Sequence, residues 1–451
     1  MAVDKLVDSA QLDADLTSVA NAIRTKGGTS APLAFPAGFV SAIGDISTGG
    51  GNPTAPENDV ILIDYDGTIR YSYTAAEFAQ LTEYPANPTH AGLTAQGWNL
   101  TLSDAKDLVA AAGYAIIGQL YVTESGATEI DLRLPPLQLT GSLGFCINGS
   151  VTVDWGDGSA VETVTGSSDS TLQAVPHTWP AEGNYTVKIK IVSGTLGLLG
   201  GGTAYSNLFH SGTTGAGANN VWRNCILAIR FGSGTIKINN GGLAQLRSMA
   251  YMTVSTGVRP HVTYNDDYYA ISECTSLRAL ILPSTWTNFS NYQLRYNYGL
   301  RYASINNKSG SPGYLFENNT ALRMVNAQRG GATIGGTSMK NCYSLTRYAF
   351  LSTITKIDAS AFENCIGLKE ITIPANVTTI AAKAFYNCYG LIEIHLKASA
   401  PPTLSNSNAF SGILAGCVFY VPRSENQTVL NSYQTASNWS TYASQMQEEP
   451  A

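Results

Sequence analysis

Between Cys274 and Leu396 the apolar positions return on a fixed step. Cys274-Thr-Ser-Leu277, Asn297-Tyr-Gly-Leu300, Asn319-Thr-Ala-Leu322, Cys342-Tyr-Ser-Leu345, Cys365-Ile-Gly-Leu368 and Cys388-Tyr-Gly-Leu391 place their leucines 22 or 23 residues apart. A period of this size predicts a solenoid, in which each coil is too small to hold a core and buries its apolar side on its neighbours. In the clearest unit Leu368, Ile371 and Ile373 point inward, and Glu370 and Thr372 point out. Pro374 ends that strand because it has no N–H for the next rung.

Upstream the periodicity changes. Residues 9–26 carry Leu12, Leu16, Val19, Ala20 and Ile23 on one helical stripe behind Ser9 as N-cap. A second short helix with Phe39, Val40, Ile43 and Ile46 follows, and 47–58 reads as a linker. Two such helices bury little alone, so they pack on a partner, on copies of themselves or back on their own chain. From Asp59 strands take over: a Val60–Tyr65 and Thr68–Tyr73 hairpin about Asp66-Gly67, then helices over 74–81 and 103–112, the second starting at Ser103 and Asp104. In 137–192, Val151/Val153/Trp155 and Tyr185/Val187/Ile189/Ile191 alternate with polar residues, which predicts a β-sandwich with Trp155 in its core. A Gly-rich stretch from 193 begins the solenoid in degenerate copies, and a helix over 426–447 carrying Val429, Leu430, Tyr433, Trp439 and Tyr442 caps it. The fold class is therefore multidomain and mainly β. Its parts are a helical segment (1–46), a small α+β module (59–136), a sandwich (137–192), a solenoid (193–422) and a cap with tail (423–451).

Three stretches resemble known families. The wording AFENCIGLKEITIPANVTTIAAKAFYNCYGLIEI is similar to BspA-like leucine-rich repeats, specifically over 339–422, which are found on bacterial surfaces. The pairing of Val151-Thr-Val-Asp-Trp-Gly-Asp-Gly158 with His177-Thr-Trp179 and Gly183-Asn-Tyr-Thr-Val187 resembles the polycystic-kidney-disease-type sandwich, a spacer or docking module. LVDSAQLDADLTSVANAIRTKGGTSAPLAFPAGFVSAIGDI is similar to the N-terminal segment of tail proteins from phages and prophages of Gram-positive bacteria. That last resemblance implies particle attachment through Leu12, Leu16, Val19, Ile23, Phe39 and Ile43. It also implies a place in the virion tail, other tail or baseplate proteins as partners of 1–46, and a homo-oligomer, a trimer by analogy with tail fibres. No heptad run enforces a trimer.

Composition narrows the chemistry. Charged residues are only 13% of the 451, the net charge is −6, and the sequence shows no basic cluster, which argues against nucleic acid. No apolar run is long enough to span a membrane, and the N-terminus shows no secretory signal. Cys274, Cys342, Cys365 and Cys388, each three residues before a repeat leucine, read as a ladder of small buried residues. Asp154 and Asp157 fall short of the oxygen count Ca²⁺ needs. Asp64 and Asp66 beside a glycine invite a phosphatase reading, but no accompanying Ser/Thr or Lys motif appears and a hairpin turn suffices; His90 reads as a loop residue. No catalytic constellation, metal set or cofactor motif stands out, so the expected activity is binding.

The candidate contact surface has two parts. One is the outward row of the repeat strands, Ala279 and Ile281, Tyr302 and Ser304, Met324 and Asn326, Arg347 and Ala349, Glu370 and Thr372, Glu393 and His395. The other is a tyrosine-rich stretch, with Tyr264, Tyr268, Tyr269, Tyr292, Tyr296, Tyr298, Tyr302 and Tyr314, and with Arg295 and Arg301 close by. Some of these rings instead pack between coils on the plainer reading. The expectation is a tail appendage whose solenoid binds a host-surface receptor, protein or glycan, without chemistry. The alternatives are a structural tail or baseplate component and a BspA-like surface adhesin.

Overall fold

A computed structural model of the chain describes residues 58–450 apart from 199–208, 211–223, 239–241, 261–269, 288, 290, 309–311 and 327–328. The helices expected in 1–46, with all six attachment residues, lie outside the described residues. Residues 57–451 form one compact unit.

The unit opens with the expected hairpin, β1 (Val60–Ile63) and β2 (Ile69–Tyr73), followed by helix α1 (Ala75–Gln80). Next come β3 (Leu93–Trp98), helix α2 (Leu102–Ala112) and β4 (Ala115–Thr123), in a sheet ordered β2-β1-β4-β3. Thr74 caps α1 in a reciprocal capping box with Glu77. For α2 the cap is Thr101, whose hydroxyl accepts from Asp104 N, rather than Ser103; Gly113, at φ 77°, ends it. All four residues of β1 are buried. Val60, Leu62, Ala115 and Ile117 join Phe78 and Leu108 under the helices, while Ile61, Ile63, Ile116 and Leu120 belong to the solenoid core. A continuous apolar run is what a strand covered on both faces requires.

Strand β5 (Thr128–Leu134) leaves this module and pairs antiparallel with β8 (Gly183–Leu198), which also pairs with β6 (Thr140–Asp154). Along its other edge β6 runs against β7 (Glu162–Thr178), while the short β9 (Phe209–His210) continues the β8 edge at Ser142 and Leu143. Trp155 and Trp179 are fully buried in an edge-to-face pair. These strands do not close off as a unit. The network continues from β5 to β10 (Ile226–Arg230) and from β8 to β11 (Thr235–Ile238), then in parallel to β12 (Tyr251–Thr253) and β13 (Val258–Pro260).

From there the chain is a parallel ladder. Strands β14 (Ala279–Ile281), β15 (Tyr302–Ser304) and β16 (Met324–Val325) stack in register on one side. On the other side β17 (Thr333–Ile334) and β18 (Lys356–Ile357) stack in the same way, and β19 (Glu370–Ile373) resumes the first side. Next, β20 (Thr379–Ile380) pairs with β18, β21 (Glu393–Leu396) with β19, β22 (Thr403–Leu404) with β20, and β23 (Val418–Val421) with β21. The β19 strand shows the predicted alternation, with Ile371 and Ile373 buried and Glu370 and Thr372 exposed. The chain is thus mainly β with a C-terminal solenoid of leucine-rich-repeat type.

Inside the coils, residues of equal phase lie over one another. Phe362, Phe385 and Phe410 stack at 5.3 and 5.0 Å. Each cysteine of the ladder donates its thiol to a carbonyl one coil back, Cys365 to Met339 at 3.1 Å and Cys388 to Phe362 at 3.1 Å. Where the motif has asparagine, Asn297 Nδ2 donates to Ile271 O at 2.8 Å. Cysteine and asparagine alternate at this site because each is a small donor that reaches the preceding coil.

The cap differs from the helix expected over 426–447. Helix α3 (Thr428–Thr435) stops at Ala436, which is extended, and Asn438 turns at φ 64°. A 3-10 turn over Trp439–Gln445 then feeds β24 (Met446–Glu448), the last rung beside β23. Trp439 and Tyr442 cover Phe410 and Phe419, the apolar surface that the last coil would otherwise leave wet.

Candidate functional site

Every coil turns its outer edge with residues at positive φ. One row holds Glu273, Tyr296, Asn318, Asn341, Asn364 and Asn387, and a second holds Tyr292, Tyr314, Thr337, Ser360 and Lys383. The geometry is imposed by neighbours, since Tyr296 N, Asn318 N and Asn341 N each donate to the next coil's backbone. Asparagine suits this conformation, and it also links coils: Asn341 Nδ2 donates to Asn318 Oδ1 at 2.7 Å and Asn364 Nδ2 to Asn341 Oδ1 at 2.6 Å. Tyrosine has neither advantage. A bulky side chain in this conformation costs on the order of 1–3 kcal/mol.

The tyrosines gather around one cation. The Arg295 guanidinium lies 4.8 Å from the Tyr292 ring centre and 4.5 Å from that of Tyr296, and pairs with Glu317 at 3.5 Å. Tyr292 stacks on Tyr314 at 4.6 Å, and Tyr298, tilted beside Tyr296, is 46% exposed. Burial pushes the Glu317 carboxyl up, with Arg295 and Lys340 pulling it down. Burial likewise raises the Tyr298 phenol. The Tyr298 ring therefore stays protonated near neutrality, and the rings offer flat faces with hydroxyl edges.

Other candidates fall elsewhere. Tyr264, Tyr268 and Tyr269 lie outside the described residues. Tyr302 is only 6% exposed, because the Asp66-Gly67 turn lies over it and Ala279. Arg347 pairs with Asp59 at 3.1 Å and stands over the Tyr114 ring, so it joins the α+β module to the solenoid. Arg301 is exposed but belongs to another row, between Arg278 and Arg323.

The outward row of the first repeat strands is thus not a free face. Ala279, Ile281, Ser304, Met324 and Asn326 are all buried beneath β4 and the residues around it. Asn99 Nδ2 donates to Leu282 O at 2.8 Å and Ser304 O at 3.1 Å; Ser304 Oγ donates to Ile116 O at 2.7 Å; Tyr114 donates to Val325 O at 2.9 Å. Arg329 pairs with Asp104 at 3.2 Å. In the fourth repeat no strand forms around Tyr348, and Ala349 and Leu351 pack against the helix-side core of the module. Only later coils keep the row open, at Glu370, Thr372, Glu393 and His395. There the His395 ring stacks on Tyr420 and meets Glu449 at 3.0 Å.

Asp64 is fully buried with both oxygens engaged. Oδ2 accepts from Arg70 and meets His90 Nε2, each at 2.8 Å, while Oδ1 accepts from Tyr121 and from Tyr65 N at 2.9 Å. His90 is thereby more than a loop residue. Such an Asp orders its surroundings and has no lone pair turned toward a substrate, unlike the nucleophile a phosphatase needs. Asp154 accepts from Gly156 N at 2.9 Å, and Asp157 meets His177 at 2.8 Å in a pair stacked on Trp155.

A family model described as BspA type leucine-rich repeat region (six copies) matches residues 218–323, 267–368 and 312–415, further upstream than the 339–422 resemblance. The chain carries BspA-type leucine-rich repeats over these residues. No curated protein matches it significantly. Among solved structures, a leucine-rich repeat protein from Bacteroides ovatus is similar at 18% identity and a TM-score of 0.29, over 50% of this chain and 66% of that one. The pneumococcal vaccine antigen PcpA is 13% identical with a TM-score of 0.27, over 48% and 68%. A leucine-rich cell surface protein from Faecalibacterium prausnitzii is 16% identical with a TM-score of 0.21, over 46% and 76%. The chain spans about two thirds of the length of the first of these.

Proposed function

We propose that this chain is an adhesin-type binding protein of the BspA-like kind, holding a partner on a cell surface through the tyrosine edge around Arg295 and performing no chemistry. One observation carries the reading. Tyr292, Tyr296 and Tyr314 occupy strained positions that other coils fill with Thr, Ser, Lys, Glu or Asn, and strain retained at a surface is a reason to look for function there. Rigid aromatic faces flanked by one cation suit protein and glycan contacts alike. The α+β module and the long β6–β8 strands then serve as platform and spacer, the role a polycystic-kidney-disease-type module would have.

The test is to label candidate cells with the fluorescent full-length chain beside a Tyr292→Ser, Tyr296→Asn, Tyr314→Thr variant. Each change installs a residue type the other coils use, so the thermal midpoint stays or rises while labelling falls at least tenfold. Unchanged labelling would overturn the reading. A second reading, a phage or prophage tail appendage attached through 1–46 and assembled as a homo-oligomer, rests on the wording of residues 6–46. Immunogold label on the tails of induced particles would favour it, and with it either a receptor binder or a structural component. Label confined to the cell envelope favours the adhesin.

A further inference from the structure

One charged row on the solenoid behaves as stability alone would arrange it. Arg295, Glu317, Lys340 and Glu363 occupy one phase on successive coils and alternate in sign, with Arg295–Glu317 at 3.5 Å and Lys340–Glu363 at 3.2 Å. A second row does the opposite. Arg278, Arg301 and Arg323 immediately precede β14, β15 and β16, and hydrogen bonds set them in register: Arg301 N donates to Arg278 O and Arg323 N to Arg301 O, each at 2.8 Å. Thr346 follows, its N donating to Arg323 O at 3.0 Å, and Lys369 holds the same phase one coil on. All five side chains are exposed.

Register places three guanidinium stems at strand spacing, about 4.8 Å apart. Like charges directly opposite on neighbouring strands destabilise a sheet. The row sets three exposed cations in register in a chain whose net charge is −6. A row of evenly spaced cations fits a ligand that carries evenly spaced anions. Beside it runs the row of turn tips, where Tyr298, Tyr343 and Tyr389 are 46, 41 and 52% exposed. Tyr298 lies three positions before Arg301, Tyr343 three before Thr346 and Tyr389 three before Ile392. A flat ring three residues from a cation, as at Tyr298 and Arg301, matches a sugar ring that bears an acidic group. The overall negative charge disfavours nucleic acid, whose charge density is far higher.

We infer that the Arg278–Arg301–Arg323 row is a binding track for an extended anionic glycan, with carboxylate or phosphate as the repeating acid. This names a ligand class for the cell-surface reading above and rests on it, but it uses a different set of residues from the Arg295 edge. The experiment titrates the full-length chain with polygalacturonate, with delipidated glycerol-phosphate wall polymer and with single-stranded DNA, at two salt concentrations. An Arg278→Gln, Arg301→Gln, Arg323→Gln variant is run alongside.

The expected result is salt-sensitive binding of one or both glycans, weakened about tenfold or more in the variant. The variant's thermal midpoint stays close to the parent's, because the three side chains are exposed. Which polymer binds decides between carboxylate and phosphate. Binding of DNA alone, no binding of either glycan, or full binding by the variant would each overturn the inference. If cell labelling through the tyrosine edge persists in those cases, the adhesin reading stands without this track; if labelling fails too, both fall.

Discussion

The carboxamide of Asn326 takes both backbone groups of Ile116: Oδ1 accepts from Ile116 N at 2.7 Å and Nδ2 donates to Ile116 O at 2.9 Å. The side chain thus acts as a short piece of strand beside β4. All of these atoms are buried, so water cannot substitute. Asn326→Ala leaves the Ile116 N–H unpaired, while Ile116 O keeps the Ser304 hydroxyl, at a cost of about 1–3 kcal/mol. Urea unfolding followed by tryptophan fluorescence should show a lower midpoint. An unchanged midpoint would mean that the module is not held on the coils by this pair.

Gly118 of β4 faces the solenoid, and a Cβ there would overlap the Ile281 side chain. Gly118→Ala should destabilise by roughly 1–3 kcal/mol through overpacking. Ile281→Ala removes the obstructing atoms, so the double variant should be more stable than the two separate losses predict. Additive losses would deny the contact.

Burial would raise the Asp157 carboxyl, but hydrogen bonds from Ser159 and His177 bring it from 3.8 down to about 2. A depressed carboxyl stabilises the fold above its unfolded value, and that contribution is lost as pH falls from about 4 through about 2. Thermal midpoints across this window should fall less steeply in Asp157→Asn than in the parent chain. Parallel slopes would remove the pair from the acid response.

All seven cysteines are buried as thiols, and burial pushes Cys274, Cys388 and Cys417 up to about 12. Thiolate is the reactive form. Ellman reagent at pH 8 should therefore find few thiols in the native chain and all seven after denaturation. Rapid native labelling would contradict the ladder.

Much of this architecture is local, and so could be read from the residues alone. The 22–23-residue step, the inward Leu368, Ile371 and Ile373, the Cys/Asn ladder and the hairpin about Gly67 follow from spacing, because each coil sees mainly its neighbours. The run Val60–Ile63 already carried the signal of a strand covered on both faces, though not what covers it.

What the sequence by itself determined is the solenoid: its period, its core ladder and the identity of the residues at its turns. Only the tertiary structure decided which outward residues meet water. Ala279, Tyr302 and Asn326 alternate outward like Glu370 and Thr372, yet β4, some two hundred residues earlier in the chain, lies on the first set and not on the second. Alternation specifies which face a side chain occupies, while solvent exposure depends on what other segment packs there. For the same reason the arginine row and the strained tyrosine edge emerge only once the coils are stacked, since residues 22 or 23 apart become neighbours through the register alone.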